Sequence, residues 1–234
     1  MYTLFLLTVS FLISLILMPI FIWGSRKFGF VDYPNSRKVH LKPIPYLGGV
    51  AILISFAIGV LISRPIEAEY KAIILGGVVI VIVGIIDDKY DLKPGLKLIG
   101  QIAASLVPVS YGILIDRITP FGVEIEFGVL AIPITILWMV GIINAINLVD
   151  GLDGLATGVS IIALSSIGFI TILQGNIFVM MICVILIGAC LGFLVYNFHP
   201  AKIFLGHNGA ILLGFIISVV SLMGFKNITL ISLF

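Results

Sequence analysis

The sequence predicts an all-α, polytopic membrane protein, a single domain over residues 1–234 with about eight transmembrane helices. Hydrophobic residues make up 61% of the chain and charged residues 10%, whereas soluble domains average about 45–50% and about 25%. Apolar windows free of charged residues also recur along the chain, and a helix needs roughly 20 such residues to cross a bilayer. These two observations exclude a water-soluble fold.

The apolar windows locate the predicted helices. They cover residues 1–25, 43–63, 72–86, 98–115, 127–149, 154–201 and 203–225. The sixth window is long enough for two crossings and is interrupted by Gln174-Gly175-Asn176, so seven windows predict eight helices. The first window lacks a basic segment and a cleavage site, so it is predicted to be a retained helix. Alternating residues at 119–127 predict a small external β-hairpin.

The distribution of charge predicts the orientation of the bundle. Adjacent crossings divide the loops into two sets. One set carries nine basic residues, namely Arg26, Lys27, Arg37, Lys38, Lys42, Lys89, Lys93, Lys97 and Lys202, and the other carries four, namely Arg64, Lys71, Arg117 and Lys226. The positive-inside rule places the richer set in the cytoplasm. We therefore expect a multi-pass protein of the plasma membrane whose N-terminus lies outside.

The same loops hold the polar side chains that could carry chemistry. All three histidines, six aspartates and several asparagines fall in the predicted cytoplasmic set, so a site is expected at that face. Transporters tend to hold polar residues at the bilayer midplane, but here they stop near helix ends, which favours surface chemistry over transport. The net charge of +2 is too small to indicate a nucleic-acid partner.

The first candidate cluster ends the third predicted helix. Asp87, Asp88 and Asp91 lie within five residues. Adjacent carboxylates repel each other, which raises one pKa or requires a cation. The cluster is therefore a candidate general base or Mg²⁺ partner. The alternative is a solvated helix end that marks the membrane interface.

The second candidate cluster has polar residues at intervals of three. Asn144, Asn147, Asp150 and Asp153 end the fifth predicted helix, and this interval keeps the first three on one broad helical face. Amide and carboxylate oxygens are the ligands that hard cations prefer. The alternative is that the asparagines form hydrogen bonds between helices.

Two loops complete the candidate set. Arg37, Lys38 and His40 are dense enough to bind phosphate, although basic loops also follow from orientation alone, and Lys97 has the same two interpretations. The loop 197–210 ends in a glycine-rich helix entry, which is a typical anion site. His199 and His207 in this loop could equally be ordinary loop histidines.

Taken in order, these motifs resemble the polyprenyl-phosphate N-acetylhexosamine-1-phosphate transferases. The matching strings are RKVHLKPIPYLGG, IDDKYDL followed by Lys97 and Gln101, NAINLVDGLDGLA and YNFHPAKIFLG. Members of that family are membrane enzymes that move a sugar 1-phosphate from a UDP-sugar to a lipid phosphate and release UMP. They include the phospho-N-acetylmuramoyl-pentapeptide transferase of peptidoglycan synthesis and the GlcNAc-1-phosphate transferases that start the assembly of teichoic acid, the O-antigen of lipopolysaccharide and other glycans.

The resemblance implies a role for each matching position. It implies catalytic roles for Asp87 and Asp88, and a metal site at Asn147, Asp150 and His207. It implies nucleotide binding by Gly151, Leu152, Asp153, Asn197 and Phe204, and phosphate binding by Arg37, Lys38, His40 and Lys97.

The resemblance also implies the cofactor and partners. The cofactor would be Mg²⁺, with Mn²⁺ as an alternative. The partners would be a UDP-N-acetylhexosamine, with UDP-GlcNAc favoured by the first loop, and polyprenyl (undecaprenyl) phosphate within the membrane lipid. A homodimer is compatible with the resemblance.

The sequence departs from the family pattern at two points, and these departures indicate an alternative to an active enzyme. His207 stands where the family motif has a magnesium-binding aspartate, and imidazole is a poor Mg²⁺ ligand. The sequence also stops at Phe234, before the C-terminal helices and His-rich loop expected of full-length members. The alternative expectation is therefore a catalytically inactive paralogue or a fragment.

Overall fold

The computed structural model describes residues 1–34, 42–118 and 123–225, and within these ranges the protein is a bundle of eight α-helices. The helices are α1 Tyr2–Phe28, α2 Gly48–Ser63, α3 Glu69–Tyr90, α4 Pro94–Ser110, α5 Ala131–Val149, α6 Leu155–Leu173, α7 Ile177–Asn197 and α8 Gly206–Phe225. Six of them are long and apolar enough to cross a membrane, and the other two, α2 and α4, have 16 and 17 residues. The predicted polytopic helix bundle is confirmed.

The helix ends follow from local sequence. The interruption predicted at residues 174–176 is confirmed, because α6 ends at Leu173 and α7 begins at Ile177. Gly175 there adopts a positive φ of 73°, and the Asn176 side chain accepts a hydrogen bond from the Val179 N–H at 3.2 Å. An asparagine in this position satisfies one of the free N–H groups of the first helical turn.

The bundle is built around α7 and α8. Helix α1 packs along α7, and α8 packs against α2, α3, α5 and α6. In α8, 83% of the membrane-spanning window is buried inside the protein. The N-terminus of a helix in this central position is surrounded by the ends of its neighbours.

Two short antiparallel strand pairs lie outside the helices. Strands β3 Arg117–Ile118 and β4 Ile125–Glu126 pair with each other, which confirms the predicted hairpin, whose turn at residues 119–122 lies outside the described residues. Strands β1 Val31–Asp32 and β2 Ile44–Pro45 also pair. The sequence did not predict β1 and β2, because two-residue strands show no periodicity.

The candidate residues gather at one end of the bundle. This end is formed by the last turns of α3, α5 and α7 and the first turns of α4, α6 and α8. The Phe204 N–H, just before α8, donates to the Pro45 carbonyl of β2 at 2.7 Å. At the opposite end, the Tyr2 hydroxyl donates to the Ser63 carbonyl at 3.2 Å. The orientation of this end toward the cytoplasm stays a prediction.

Candidate functional site

The centre of the site is the acidic pair in the last turn of α3. Asp87 and Asp88 are both buried, with side-chain exposures of 6% and 7%. The Lys97 ammonium lies 2.9 Å from Oδ1 of Asp87, and the same oxygen accepts the Leu92 N–H at 3.0 Å. The third acid of the motif, Asp91, is fully exposed and lies 3.9 Å from Lys97. Lys97, a predicted phosphate ligand, therefore neutralises Asp87 in this structure.

Asp88 caps the N-terminus of α8. Its Oδ1 accepts the His207 N–H at 2.9 Å and lies 3.1 Å from His207 Nδ1. Its Oδ2 accepts the backbone and side-chain N–H groups of Asn208 at 3.1 and 2.6 Å. A helix N-terminus carries partial positive charge and free N–H groups. The anion site predicted at this helix entry is thus occupied by the carboxylate of Asp88.

Glycines allow the backbones of α2, α3 and α8 to approach closely beside this cap. A Cβ atom on Gly84 of α3 would overlap the backbone of Asn208, and one on Gly49 of α2 would overlap Gly209. The Tyr46 carbonyl, just before α2, accepts the Asn208 side-chain amide at 2.8 Å. Burial raises the pKa of the Tyr46 phenol, and the nearby negative charge of Asp88 adds to this effect.

The polar residues at the end of α5 do not share one environment. Asn144 pairs with Gln101 of α4, because the two amides donate to each other at 2.7 and 3.3 Å. Asn147 keeps a buried Oδ1 without a hydrogen-bond partner among the described residues. The helix ends at Val149, so Asp150 lies just beyond it. Burial raises the pKa of Asp150 to about 6, and the charge on Asp88 contributes in the same direction while His207 opposes it.

The residues predicted to bind nucleotide join two loops of the site. The Asn197 side chain accepts the Gly154 N–H at 3.0 Å and donates to the Ile203 carbonyl at 3.0 Å. Asp153 Oδ2 accepts the Ala201 N–H at 3.1 Å and lies 3.0 Å from His199 Nδ1. These bonds hold the segment before α6 against the segment between α7 and α8.

Three other predicted nucleotide residues line the same end of the bundle. Gly151 and Leu152 are exposed and Phe204 is half-buried. The structure therefore brings the predicted nucleotide residues to neighbouring positions on the two joined loops. Their contact with a nucleotide stays a prediction. Of the predicted phosphate ligands, Arg37, Lys38 and His40 lie outside the described residues.

The donor set for a divalent cation is small. Among residues 1–34, 42–118 and 123–225, no group of three or more histidine, cysteine, aspartate or glutamate side chains is placed to hold a metal ion. The unpartnered oxygen of Asn147 and the carboxylate of Asp150 are the oxygen donors that Mg²⁺ prefers, and Mg²⁺ commonly takes one or two carboxylates together with waters and phosphate. Nδ1 of His207 instead lies against Asp88, so this nitrogen does not extend the donor set.

An apolar groove runs along α5 toward this site. Its cavity volume is about 510 Å³, and its lining includes Ile134, Trp138, Gly141 and Ala145 of α5 together with Ile115. Ala145 lies between Asn144 and Asn147 in the sequence. The groove therefore extends to about one helical turn before the end of α5, on a different face of the helix from Asn147.

Comparison with known proteins assigns the family. The model of the family described as glycosyl transferase family 4 matches residues 70–225. The chain belongs to glycosyl transferase family 4. The match contains the acidic pair, the end of α5 and the N-terminus of α8, so these parts of the site lie within the family domain, whereas Tyr46 and Gly49 precede it.

Several curated members of glycosyl transferase family 4 are similar to the chain. A probable undecaprenyl-phosphate N-acetylglucosaminyl 1-phosphate transferase of Bacillus subtilis (strain 168) is 45% identical over 96% of the chain and 64% of its own length. A decaprenyl-phosphate N-acetylglucosaminephosphotransferase of Mycolicibacterium smegmatis is 38% identical over 83% of the chain and 53% of its own length. A phospho-N-acetylmuramoyl-pentapeptide-transferase of Staphylococcus carnosus is 36% identical over 95% of the chain and 77% of its own length. The chain thus spans between half and two thirds of the length of the first two relatives.

Sequence reasoning missed several parts of this family site. It did not anticipate that Asp88 caps α8, that Tyr46 contributes a carbonyl, or that Gln101 pairs with Asn144. Asp88 and His207 are 119 residues apart, and no periodicity connects positions at that distance. The signal for Gln101 was available, because an amide inside an apolar helix requires a hydrogen-bond partner.

Proposed function

We propose that this chain carries the catalytic site of a phosphoglycosyl transferase that moves an N-acetylhexosamine 1-phosphate from a UDP-sugar to polyprenyl phosphate at the cytoplasmic membrane face. UDP-GlcNAc is the favoured donor, because the first two relatives are named for N-acetylglucosamine 1-phosphate transfer. The observation that carries the proposal is the meeting of the acidic pair, Lys97 and the end of α5 beside an apolar groove.

The reaction joins two anions. An oxygen of the lipid phosphate attacks the phosphorus that bears the sugar, and a new P–O–P bond forms. The bond from that phosphorus to the bridging oxygen breaks, and UMP leaves with this oxygen. Positive charge placed where the phosphates meet lowers the barrier of such a transfer. Lys97 is the described cation closest to the acidic pair, so it is suited to this role once phosphate enters.

The two aspartates have different capacities to act as a base. Both oxygens of Asp88 already accept hydrogen bonds from residues 207 and 208. Asp87 uses Oδ1 for Leu92 and Lys97, while its Oδ2 lies 3.7 Å from His207 Nδ1. Asp87 is therefore the better candidate to accept the proton of the lipid phosphate, and Asp88 positions the N-terminus of α8.

Asn147 and Asp150 are the residues that would hold Mg²⁺. When bound, the ion would neutralise charge on the diphosphate. The Asn147 oxygen has no other partner among the described residues, and Asp150 is a half-buried carboxylate whose pKa is raised to about 6 by desolvation. A cation at this position would compensate both groups.

The α5 groove is suited to the lipid part of the acceptor. A polyprenyl chain is apolar and extended, and the groove is lined almost entirely by aliphatic and aromatic side chains. Its end at Ala145 lies about one helical turn before the end of α5, so a phosphate that extends beyond this end would approach the level of the acidic pair. A lipid-phosphate acceptor would therefore use both the apolar groove and the charged residues.

The test is transfer of radiolabelled GlcNAc 1-phosphate from UDP-GlcNAc to undecaprenyl phosphate, with UMP measured in parallel. The expected result is labelled lipid with equal UMP in the presence of Mg²⁺, and loss of both products in Asp87→Asn. Lys71→Gln, at the opposite end of the bundle, is the matched control and should retain activity. Absence of labelled lipid at every pH and metal concentration contradicts the proposal.

His207 favours a second candidate function, a non-catalytic member that binds nucleotide or lipid. Its imidazole lies against Asp88, where the family pattern has an aspartate. If His207→Asp transfers the sugar phosphate and the natural chain does not, this second function is supported. Transfer of the sugar phosphate by the natural chain itself contradicts it.

A further inference from the structure

We infer that Gln101 and Asn144 form a positioning pair that sets the spacing between the two halves of the candidate site. This inference deepens the proposed function and rests on it. One half is the Lys97–Asp87 ion pair on α4 and α3, and the other is Asn147 with Asp150 at the end of α5. Neither Gln101 nor Asn144 contacts the reacting groups in the proposed mechanism.

The pair is reciprocal, and one of its members is buried. Asn144 Nδ2 donates to Gln101 Oε1 at 2.7 Å, and Gln101 Nε2 donates to Asn144 Oδ1 at 3.3 Å. Asn144 Nδ2 also donates to the Val140 carbonyl at 2.8 Å, which fixes the orientation of the amide. Gln101 is only 4% exposed, and Asn144 is half-buried. An apolar residue at 144 would leave the buried Gln101 amide unpaired, and an apolar residue at 101 would leave the Asn144 oxygen without its partner, so the two side chains act as a unit.

The pair joins two helices that carry different parts of the site. Among the described residues, it provides both of the side-chain hydrogen bonds between α4 and α5. Helix α4 begins at the site end of the bundle and α5 ends there. Lys97 is four residues before Gln101, and Asn147 is three residues after Asn144.

The geometry of the α-helix explains how this pair sets the spacing between the two halves of the site. Residues three or four apart lie on nearly the same face of a helix, and each residue advances the axis by about 1.5 Å. Lys97 and Asn147 therefore lie roughly one turn nearer the site than the amide pair, on the helix faces that the pair holds together. The gap between the Lys97–Asp87 ion pair and the unpartnered Asn147 oxygen depends on this contact.

The experiment is a double-mutant cycle in the full chain. The variants are Gln101→Leu, Asn144→Leu, the double variant, and the exchange of Gln101→Asn with Asn144→Gln. A displacement of about 1 Å in a site can lower the rate about 100-fold. We expect each single variant to lower kcat about 10- to 100-fold with little change in KM, the double variant to match the single variants, and the exchange to recover most of the activity.

A matched control separates positioning from stability. The Ser10 hydroxyl of α1 donates to the Ile185 carbonyl of α7 at 2.7 Å, away from both the acidic pair and the α5 groove. Ser10→Ala removes this interhelical hydrogen bond, so it should lower the thermal midpoint, as Gln101→Leu does, while leaving kcat unchanged. Equal loss of kcat in Ser10→Ala, or additive losses in the double variant, overturns the inference.

A second measurement does not depend on turnover. Mg²⁺ should raise the thermal midpoint of the natural chain and of Ser10→Ala, and its half-saturating concentration should be at least threefold higher in Gln101→Leu. If the natural chain transfers no sugar phosphate but shows this Mg²⁺ response, the proposed function fails and the positioning role stands. If Gln101→Leu responds to Mg²⁺ like the natural chain, or if the natural chain shows no response, the positioning role fails.

Discussion

Asp88→Ala should destabilise the protein by about 3 kcal/mol, because it removes the cap of α8. Asn208 is completely buried, so its backbone N–H cannot reach water after the change, and losing a hydrogen bond to a charged acceptor costs about 1.5–3 kcal/mol. These hydrogen bonds are the cap itself, so the value of about 1 kcal/mol that is typical of an exposed cap is included in this cost, and burial of Asn208 brings the cost to the upper end of the range. His207 is half-exposed, with a side-chain exposure of 49%, so it contributes little. Asp88→Asn keeps an acceptor oxygen and should cost about 1 kcal/mol.

The free energy of unfolding can be measured by titration with SDS in mixed micelles. Asp91→Asn is the matched control, since this neighbouring aspartate is fully exposed and asparagine tolerates its positive φ of 47°, so the change should have no measurable effect. A loss below 1 kcal/mol in Asp88→Ala, or equal losses in the alanine and asparagine variants, would refute the capping argument.

Three further predictions concern the neighbouring groups. Lys97→Met should cost about 3 kcal/mol in the same titration, because it leaves the Asp87 carboxylate buried without its cation, and Lys97→Arg should recover part of the loss. Asn197→Ala should cost about 2 kcal/mol, since two hydrogen bonds between loops are lost, and should raise the KM for the UDP-sugar. The half-saturating Mg²⁺ concentration should rise about tenfold for each pH unit below 6, because the proton on Asp150 competes with the ion.

A specific measured outcome would contradict each of these three predictions. An unchanged free energy of unfolding in Lys97→Met would mean that Asp87 is neutral or solvated. A fall in kcat without a change in KM for Asn197→Ala would place this residue away from the nucleotide. The sign for Asp150 follows from its pKa of about 6: the group is ionised above pH 6 and protonated below it. A half-saturating concentration that stays constant from pH 7 to pH 5 would exclude Asp150 as a ligand.

The fold could be predicted from the sequence because the bilayer imposes a simple rule on composition. Apolar windows located all eight helices of the described residues, and Gly175 and Asn176 marked the break between α6 and α7. The helix ends were less accurate. For example, α3 continues through Asp87 and Asp88 to Tyr90, because buried partners let charged residues remain in a helix.

The partners inside the site could not be predicted in the same way. Periodicity placed Asn144, Asn147 and Asp150 on one face, but the helix ends at Val149 and each residue meets a different environment. The sequence identified Asp88 as an acid without indicating that α8 would use both of its oxygens. Hydrogen-bond partners of this kind depend on how distant helices pack, and local patterns contain no information about that packing.

The cap on α8 has a consequence for the assembly of the protein. Asp88 enters the membrane region 119 residues before His207, so seven helices are present before the groups that satisfy its carboxylate arrive. Gly49 and Gly84 leave room for the backbone of α8 at Asn208 and Gly209. The hydrogen bonds of Asp88 therefore form only when the eighth helix is inserted. A nascent chain that lacks this helix contains the charged residues of the site, but these residues do not yet have the positions of the folded protein. The site therefore forms only after α8 has been synthesised.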